Sequence, residues 1–462
     1  MPQRWTALAA ILVIAPALFV GLLCCSRTPT APTPGLNVLL ITLDTTRSDH
    51  LGCYGYAEAT SPRLDGFAKS GTLFTNAYST ASVTPVSHAS ILTGQYPYKH
   101  GLRVLHGLSE NRLPEGAVTL AEVLRDAGYE TAAFISAFPA GSRFGLDQGF
   151  RSFDEAFLEG PVDRIVGSDG KVNTGKNQRR AADTTDIALD WLARAPEPFF
   201  AWLHYFDPHD ARIVPPPEFL MQYPVPAGSV SYRLKRLYDI EIRYMDQQIG
   251  RVLDALDASG LTADTVAVIV SDHGQGLGDH DWWAHGILYE EQIRAPLIIR
   301  APGLPAGRRV QHLVRTVDIA PTILDLVGLD PGLLGHADGV SLVPMLEGES
   351  SDPGYVAYAD SVNMLTYGSA VGKPDVKNDM LFALTNGRWK YIHHLIHEDE
   401  SELYDLARDP HELSNLYAVR TDQVERWRKD LKARGFQPDH SQGRGQMSPE
   451  DMERLRSLGY LR

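Results

Sequence analysis

Cysteine is scarce in this chain: 462 residues carry three. Cys24 and Cys25 close an N-terminal apolar run, which leaves Cys53 alone, so the body of the chain cannot form an intrachain disulfide. Cys53, between Gly52 and Tyr54, reads as a packed structural thiol rather than a nucleophile. Positive charge is also short, and the formal net charge is −14. That balance argues against a nucleic-acid partner. It also obliges any site for an anionic substrate to supply its own local positive charge. Internal repeats and low-complexity tracts are absent, and the composition is that of an ordinary globular protein.

What is present begins with one long apolar stretch, residues 5–25, behind Arg4. Residues 1–25 read as a signal peptide or a single membrane anchor, with lipidation at a cysteine as the lipoprotein variant of that reading. Residues 26–35, rich in proline and threonine, read as a stiff linker. The expectation is an exported protein, periplasmic or extracellular, that meets a membrane through its N-terminal segment only. A large domain is expected over 36–346, and a C-terminal subdomain with a terminal helix over 347–462.

Residues 37–43 (NVLLITL) are apolar and rich in β-branched side chains, the pattern of a strand buried on both faces of a mostly parallel sheet. Runs at 131–135, 198–205, 265–270 and 296–300 read as further strands. Helices are predicted at 120–128, 183–193 and 318–327. The longest helix carries Leu234, Tyr238, Ile242, Met245, Ile249, Val252 and Leu256 in steps of three and four, and stops at Gly260. This alternation predicts an α/β fold. Residues 160–180 lack apolar periodicity and read as a surface loop with a candidate lid role. Beyond 346, short antiparallel strands are predicted at 381–385, 389–393 and 402–406, the first two joined at Asn386-Gly387. A final amphipathic helix is predicted at 449–458.

The chemistry centres on residues 84–94 (TPVSHASILTG). They read as a turn at Pro85, then a short helix opened by Ser87 and closed near Gly94. Thr84 then lies just before the helix, where free N–H groups and the positive dipole end favour an alkoxide or the oxyanion of an ester. Taken alone, the stretch reads first as an ordinary turn. Three buried strands, however, end in metal-type side chains: Asp44, then Asp207 and His209, then Asp272 and His273. In a parallel sheet such ends share one edge, where ligands bind.

Asp44, Asp272 and His273 supply two carboxylates and an imidazole, with the Thr84 oxygen as a fourth ligand for one divalent ion. Such an ion lowers the pKa of the hydroxyl and neutralises charge on the ester. The imidazole leans toward zinc or manganese, with calcium left open. His209 and His285 are candidates to bind the ester's free oxygens or to protonate the leaving group, against ordinary loop histidines. Arg47, beside Asp44, reads as added positive charge or as a surface residue. His88, Asp207 and His280 complete the candidate substrate-binding set.

The segments NVLLITLDTTRSDHLGCYGY, TPVSHASILTG, DPH, SDHGQGLGDH, GILYEEQIRAPLIIRAPG and ELYDLARDPHELSNL together resemble the sulfatase family of the alkaline phosphatase superfamily, over nearly everything from Asn37 onward. The resemblance implies a large mixed sheet flanked by helices plus a small C-terminal sheet domain. It implies a first metal aspartate at Asp44, a metal pair at Asp272 and His273, and a substrate histidine at His209. The implied substrates are small anionic esters or sulfated or phosphorylated glycans and lipids. The departures are specific. Family sulfatases oxidise a Cys or Ser to formylglycine where this chain has Thr84, whose methyl group prevents oxidation to an aldehyde. His88 stands for the signature Arg, Val86 for its Pro, and Thr45 for the second carboxylate of the opening pair. AAFISAFPAG lacks the sulfate-binding Lys and His, and His285 replaces a loop Lys.

Threonine nucleophiles occur in superfamily relatives that cleave phosphodiesters or transfer phospho-groups. Asp44, Thr84, Asp272 and His273 reproduce one of their metal sites in order. Asp207, His209 and His285 stand open as a second. The expectation is a metal-dependent hydrolase of sulfuric or phosphoric esters with Thr84 as nucleophile, phosphate mono- and diesters being favoured on residue chemistry. A membrane-anchored phospho-group transferase and a catalytically inactive binding protein remain as alternatives.

Overall fold

Three neighbouring strands carry the fold: β1 (Asn37–Leu43), β5 (Phe199–Tyr205) and β6 (Thr265–Ser271), every residue of which is buried. The structure, a computed structural model, describes residues 35–103, 112–157, 177–209, 214–348, 351–361, 379–434 and 448–458. The expected leader, nearly all of the expected linker and most of the 160–180 loop lie outside these residues. Among the described residues no helix is long and apolar enough to cross a membrane.

The other strands of the large sheet are β2 (Thr72–Tyr78), β3 (Glu130–Ile135), β4 (Ser152–Asp154), β7 (Arg294–Arg300), β8 (Arg308–Val310) and β9 (Val314–Arg315). Their order is β4-β3-β5-β1-β6-β7-β2-β8, and β9 also pairs with β2. Neighbours run parallel except at β7, which is antiparallel to both β6 and β2. The sheet is therefore mixed and mostly parallel. Leu43 lies opposite Tyr205 on one side and Ser271 on the other. The residues that follow, Asp44, Phe206 and Asp272, leave the sheet side by side.

Alternation along these strands builds two cores, since successive side chains point to opposite faces. Val38 and Leu40, Phe200 and Trp202, and Val266, Val268 and Val270 line one face. Leu39, Ile41, Leu43, Ala201, Leu203, Ala267 and Ile269 line the other. The second face is covered by α1 (Pro62–Ser70), α4 (Ala181–Leu192) and the long α5 (Val230–Ala258). The first is covered by α2 (Thr84–Thr93), α3 (Leu120–Asp126) and α6 (Ile319–Leu326). Helix α3 starts where it does because Thr119 and Glu122 form a reciprocal capping box.

The small sheet is antiparallel, in the order β10 (Ala357–Ser361), β11 (Leu381–Thr385), β12 (Trp389–His394), β13 (Glu402–Asp405). Val424, Trp427 and Leu431 of α7 (Thr421–Ala433) pack on it. It joins the large sheet through Tyr78, Ile293 and Leu313, which share a core with Ala357 and Leu381, and through the Asp360 N–H, which donates to the Thr80 carbonyl at 2.9 Å. The last helix, α8 (Pro449–Ser457), belongs with the large sheet, where Leu455 is buried in the first core.

Candidate active site

Helix α2 begins at Thr84 itself, three residues before the start expected from Ser87, with Val83 as its cap and Pro85 in its first turn. Proline's fixed φ suits that position. Ser87 is used differently: its hydroxyl donates to the Asp272 carbonyl at 2.7 Å and meets Ser79 Oγ at 3.0 Å, tying the helix to the end of β6. Gly94, at φ 67°, ends the helix. Thr84 thus sits in the first turn of a wholly buried helix, within reach of the dipole's positive end.

The Thr84 hydroxyl oxygen lies 3.2 Å from Asp44 Oδ2 and 3.3 Å from His273 Nε2. Asp44, Asp272 and His273 offer ligand atoms within 4.8 Å of one another, and all three are buried. Asp272 Oδ1 accepts the N–H groups of Thr45 (3.1 Å) and His273 (2.7 Å). Thr45 holds a left-handed φ of 50°, so its backbone serves Asp272 where its side chain supplies no carboxylate. His273 Nδ1 faces the Gly274 carbonyl at 3.0 Å. A carbonyl only accepts, so Nδ1 carries the proton and Nε2 presents its lone pair to Thr84.

Asp44 Oδ1 and Asp272 Oδ2 are buried and have no hydrogen-bond partner among the described residues. Burial raises both carboxyls well above their usual range, and the neighbouring Asp44 charge raises Asp272 further. Two buried, like-charged, unpartnered carboxylate oxygens beside an imidazole lone pair form a donor set that fits a divalent cation.

Four further histidines surround this group. His88 Nδ1 donates to the Thr84 carbonyl at 2.8 Å, and its Nε2 lies 3.0 Å from the Thr42 hydroxyl. His88 therefore braces the first turn of α2, where the family signature carries an arginine. His285 Nδ1 donates to the Ser82 carbonyl at 2.8 Å, and its Nε2 meets His209 Nε2 at 3.1 Å. The His285 and His273 rings are 4.7 Å apart, so the His209–His285 pair adjoins the cation group. His204, absent from the sequence-based candidates, approaches Asp44 Oδ2 to 3.2 Å.

Burial pushes His204 down to about 3 and His285 to about 4, and holds His88 and His273 well below the ordinary range. His100, also buried, falls to about 3. Groups with depressed folded pKa values leave stability intact above the unfolded value, about 6.5. They remove it as the pH falls toward the folded values. Asp207 works oppositely: burial raises it to about 7, so its contribution is lost as the pH rises through that value. Burial raises Asp246 and Glu412 to about 7 as well, so three carboxyls oppose the three histidines between about pH 4 and 6.5. Circular dichroism should record a stability that changes by less than about 1.4 kcal/mol per pH unit across that range, and a steep loss toward about pH 4 would contradict this balance.

Other sequence candidates stand apart from Thr84. Arg47 is buried, with its guanidinium engaged by Asp49 (2.6 Å), Asp279 (2.7 Å) and the carbonyls of Gln275 and Gly276. It is neither a surface residue nor aimed at the cation group; it pins the loop that follows His273. Arg47→Ala is expected to cost about 2–4 kcal/mol in urea unfolding, with Arg47→Lys intermediate because an ammonium cannot reproduce the fork. Asp207 Oδ1 accepts the Ala181 N–H at 3.1 Å, at the start of α4. Asp207, His209 and His285 do not form a second cluster of ligand atoms among the described residues. His280 stacks on Tyr289 at 3.7 Å and bonds Glu291 and the Glu412 carbonyl, a contact between the histidine loop and the C-terminal region.

Comparison with known proteins bears on the family and the fold. The Sulfatase family model matches residues 36–329, and a model described as N-sulphoglucosamine sulphohydrolase, C-terminal, matches residues 278–437. A choline-sulfatase of Rhizobium meliloti is 33% identical over 214 residues, which span 46% of this chain and 38% of that protein. A Delta 4,5-hexuronate-2-O-sulfatase of Bacteroides thetaiotaomicron is 26% identical over 431 residues, covering 82% of this chain and 84% of its own. Among solved structures, a phosphonate monoester hydrolase of Agrobacterium radiobacter superposes with a TM-score of 0.69 at 25% identity, covering 86% of this chain and 95% of its own.

Proposed function

The chain belongs to the sulfatase family of ester hydrolases, and from that premise we propose that it cleaves sulfuric or phosphoric esters with Thr84 as the nucleophile, phosphate mono- and diesters being preferred. The observation that carries this reading is the Thr84 hydroxyl at 3.2 Å from Asp44 and 3.3 Å from His273. Asp44, Asp272 and His273 would hold one divalent ion, zinc or manganese by their chemistry. When bound, that ion would acidify the hydroxyl and offset charge on the ester. Asp44 Oδ2 orients the Thr84 hydroxyl, and the first turn of α2 stabilises negative charge as Oγ1 attacks. The Thr84 proton passes to Asp44 Oδ2 as Oγ1 forms its bond to phosphorus or sulfur and the bond to the in-line departing oxygen breaks. The neutral His209–His285 pair orients a water that protonates the leaving alkoxide; the hydroxide left behind cleaves the threonyl ester, and Asp44 returns the proton to Thr84.

Preference for phosphorus follows from Thr84, which yields no aldehyde, and from the missing sulfate-binding Lys and His. The phosphonate monoester hydrolase relative supports it. The glycan-directed name of the Bacteroides relative supports a sulfated sugar ester as the second substrate class. Export, with residues 1–25 as leader or anchor, completes the proposal. The test is one metal-analysed preparation assayed on aryl phosphate, phosphate diester, phosphonate and aryl sulfate. Metal-dependent phosphoester turnover without an added acceptor supports the reading and separates it from a transferase. Faster sulfate turnover, or activity indifferent to chelation, overturns it.

A further inference from the structure

β5 places Phe200 and Trp202 at alternate positions in the first core, Phe206 follows in step just past its end, and His204 falls in the same series with no exposed surface. A polar ring in an apolar layer needs partners. His204 has one on each nitrogen. The Ser136 N–H donates to Nδ1 at 3.3 Å. An amide N–H cannot accept, so Nδ1 is bare, Nε2 carries the proton, and Nε2–H donates to Asp44 Oδ2 at 3.2 Å. Ser136 is itself held, its hydroxyl meeting Thr184 Oγ1 at 2.7 Å while Arg179 Nε donates to the same Thr184 oxygen at 3.0 Å. A relay of fixed side chains thus runs from α4 to Asp44.

Asp44 Oδ2 therefore receives two contacts, from His204 and from Thr84, while Oδ1 has none among the described residues. Asp272 is arranged likewise, with Oδ1 used by backbone N–H groups and Oδ2 left over. We propose that His204 is a positioning residue that fixes which oxygen of Asp44 is presented to the cation. This inference rests on the metal-dependent reading above. It extends that reading to a residue outside the cation group, by the outer-shell logic through which hydrogen-bonded ligands are oriented.

Two variants separate donation from packing. His204→Asn keeps an acceptor toward Ser136 and removes the donor toward Asp44. His204→Gln restores an amide nitrogen near the Nε2 position. Titration of the metal-free full chain with manganese or zinc is expected to show affinity about 10- to 100-fold weaker for His204→Asn. Most of the loss should be recovered in His204→Gln, while the metal-free melting temperature falls by a similar amount in both variants, since each truncates the same buried ring. Turnover should fall through kcat rather than KM. Nitrogen-15 spectra of histidine-labelled, metal-free wild type should report His204 protonated at Nε2. Wild-type metal affinity in His204→Asn, no recovery in His204→Gln, or a proton on Nδ1 overturns the inference alone. Failure of the wild type to bind any divalent metal overturns the metal reading and this inference together.

Discussion

Thr84→Ala is expected to lower kcat by about 10⁴- to 10⁶-fold, the range over which loss of a nucleophile that acts as part of a unit is felt. Bound metal should be retained. The Asp44 and Asp272 carboxylates and His273 Nε2 survive the substitution, and Asp44 Oδ2 still receives His204. Folding should survive too, since alanine is a better helix former and the first turn of α2 keeps the His88 bond to the residue-84 carbonyl. Thr84→Ser retains a hydroxyl and should keep activity within about tenfold, since it loses a buried methyl group rather than the reacting atom. Single-turnover kinetics on the best ester of the panel, with metal content measured on the same sample, checks all three expectations.

The second large effect has opposite signs in two measurements. Asp272→Asn should reduce kcat/KM by about 10³-fold or more, because a metal's charge stabilisation is worth several kcal/mol at about 1.4 kcal/mol per decade. The same substitution should raise the melting temperature of the metal-free protein. Burial and the neighbouring Asp44 both disfavour an ionised Asp272, and an amide ends that repulsion. Wild-type protein should respond to metal far more strongly than the variant, because the cation relieves what the substitution has already removed. Differential scanning calorimetry with and without a chelator reads this directly. An Asp272→Asn protein that is less stable than wild type in the absence of metal would contradict the electrostatic account of the site.

Much of this arrangement is legible before any coordinates. Asn37–Leu43, Phe199–Tyr205 and Thr265–Ser271 read as buried strands because aliphatic, β-branched and aromatic side chains dominate them. Their shared register brings Asp44 and Asp272 together. What stayed hidden depends on distant partners. β2 carries Thr75 and Asn76 at a bulge between Phe74 and Ala77, which breaks its alternation. β4, β8 and β9 are two or three residues long, too short for a periodic signal. Ser87 looks like a helix cap because its real partner, the Asp272 carbonyl, lies 185 positions away. Arg47 is claimed by Asp279, and His280 by Glu412, neither of which local pattern reveals. His204 reads as one more member of an aromatic strand, although its place in step with Phe200 and Trp202 is a usable sign: a titratable ring in an apolar series needs partners.

The central claim is that Thr84 forms a covalent bond to substrate. Rapid acid quench of the metal-loaded enzyme during turnover, followed by peptide mass spectrometry, tests it most directly. The account predicts a phosphoryl or sulfuryl group on the peptide bearing Thr84, absent from Thr84→Ala and lost on longer incubation as water releases it. Full turnover with the Thr84 peptide unmodified at every quench time, or the adduct on another residue, would contradict it.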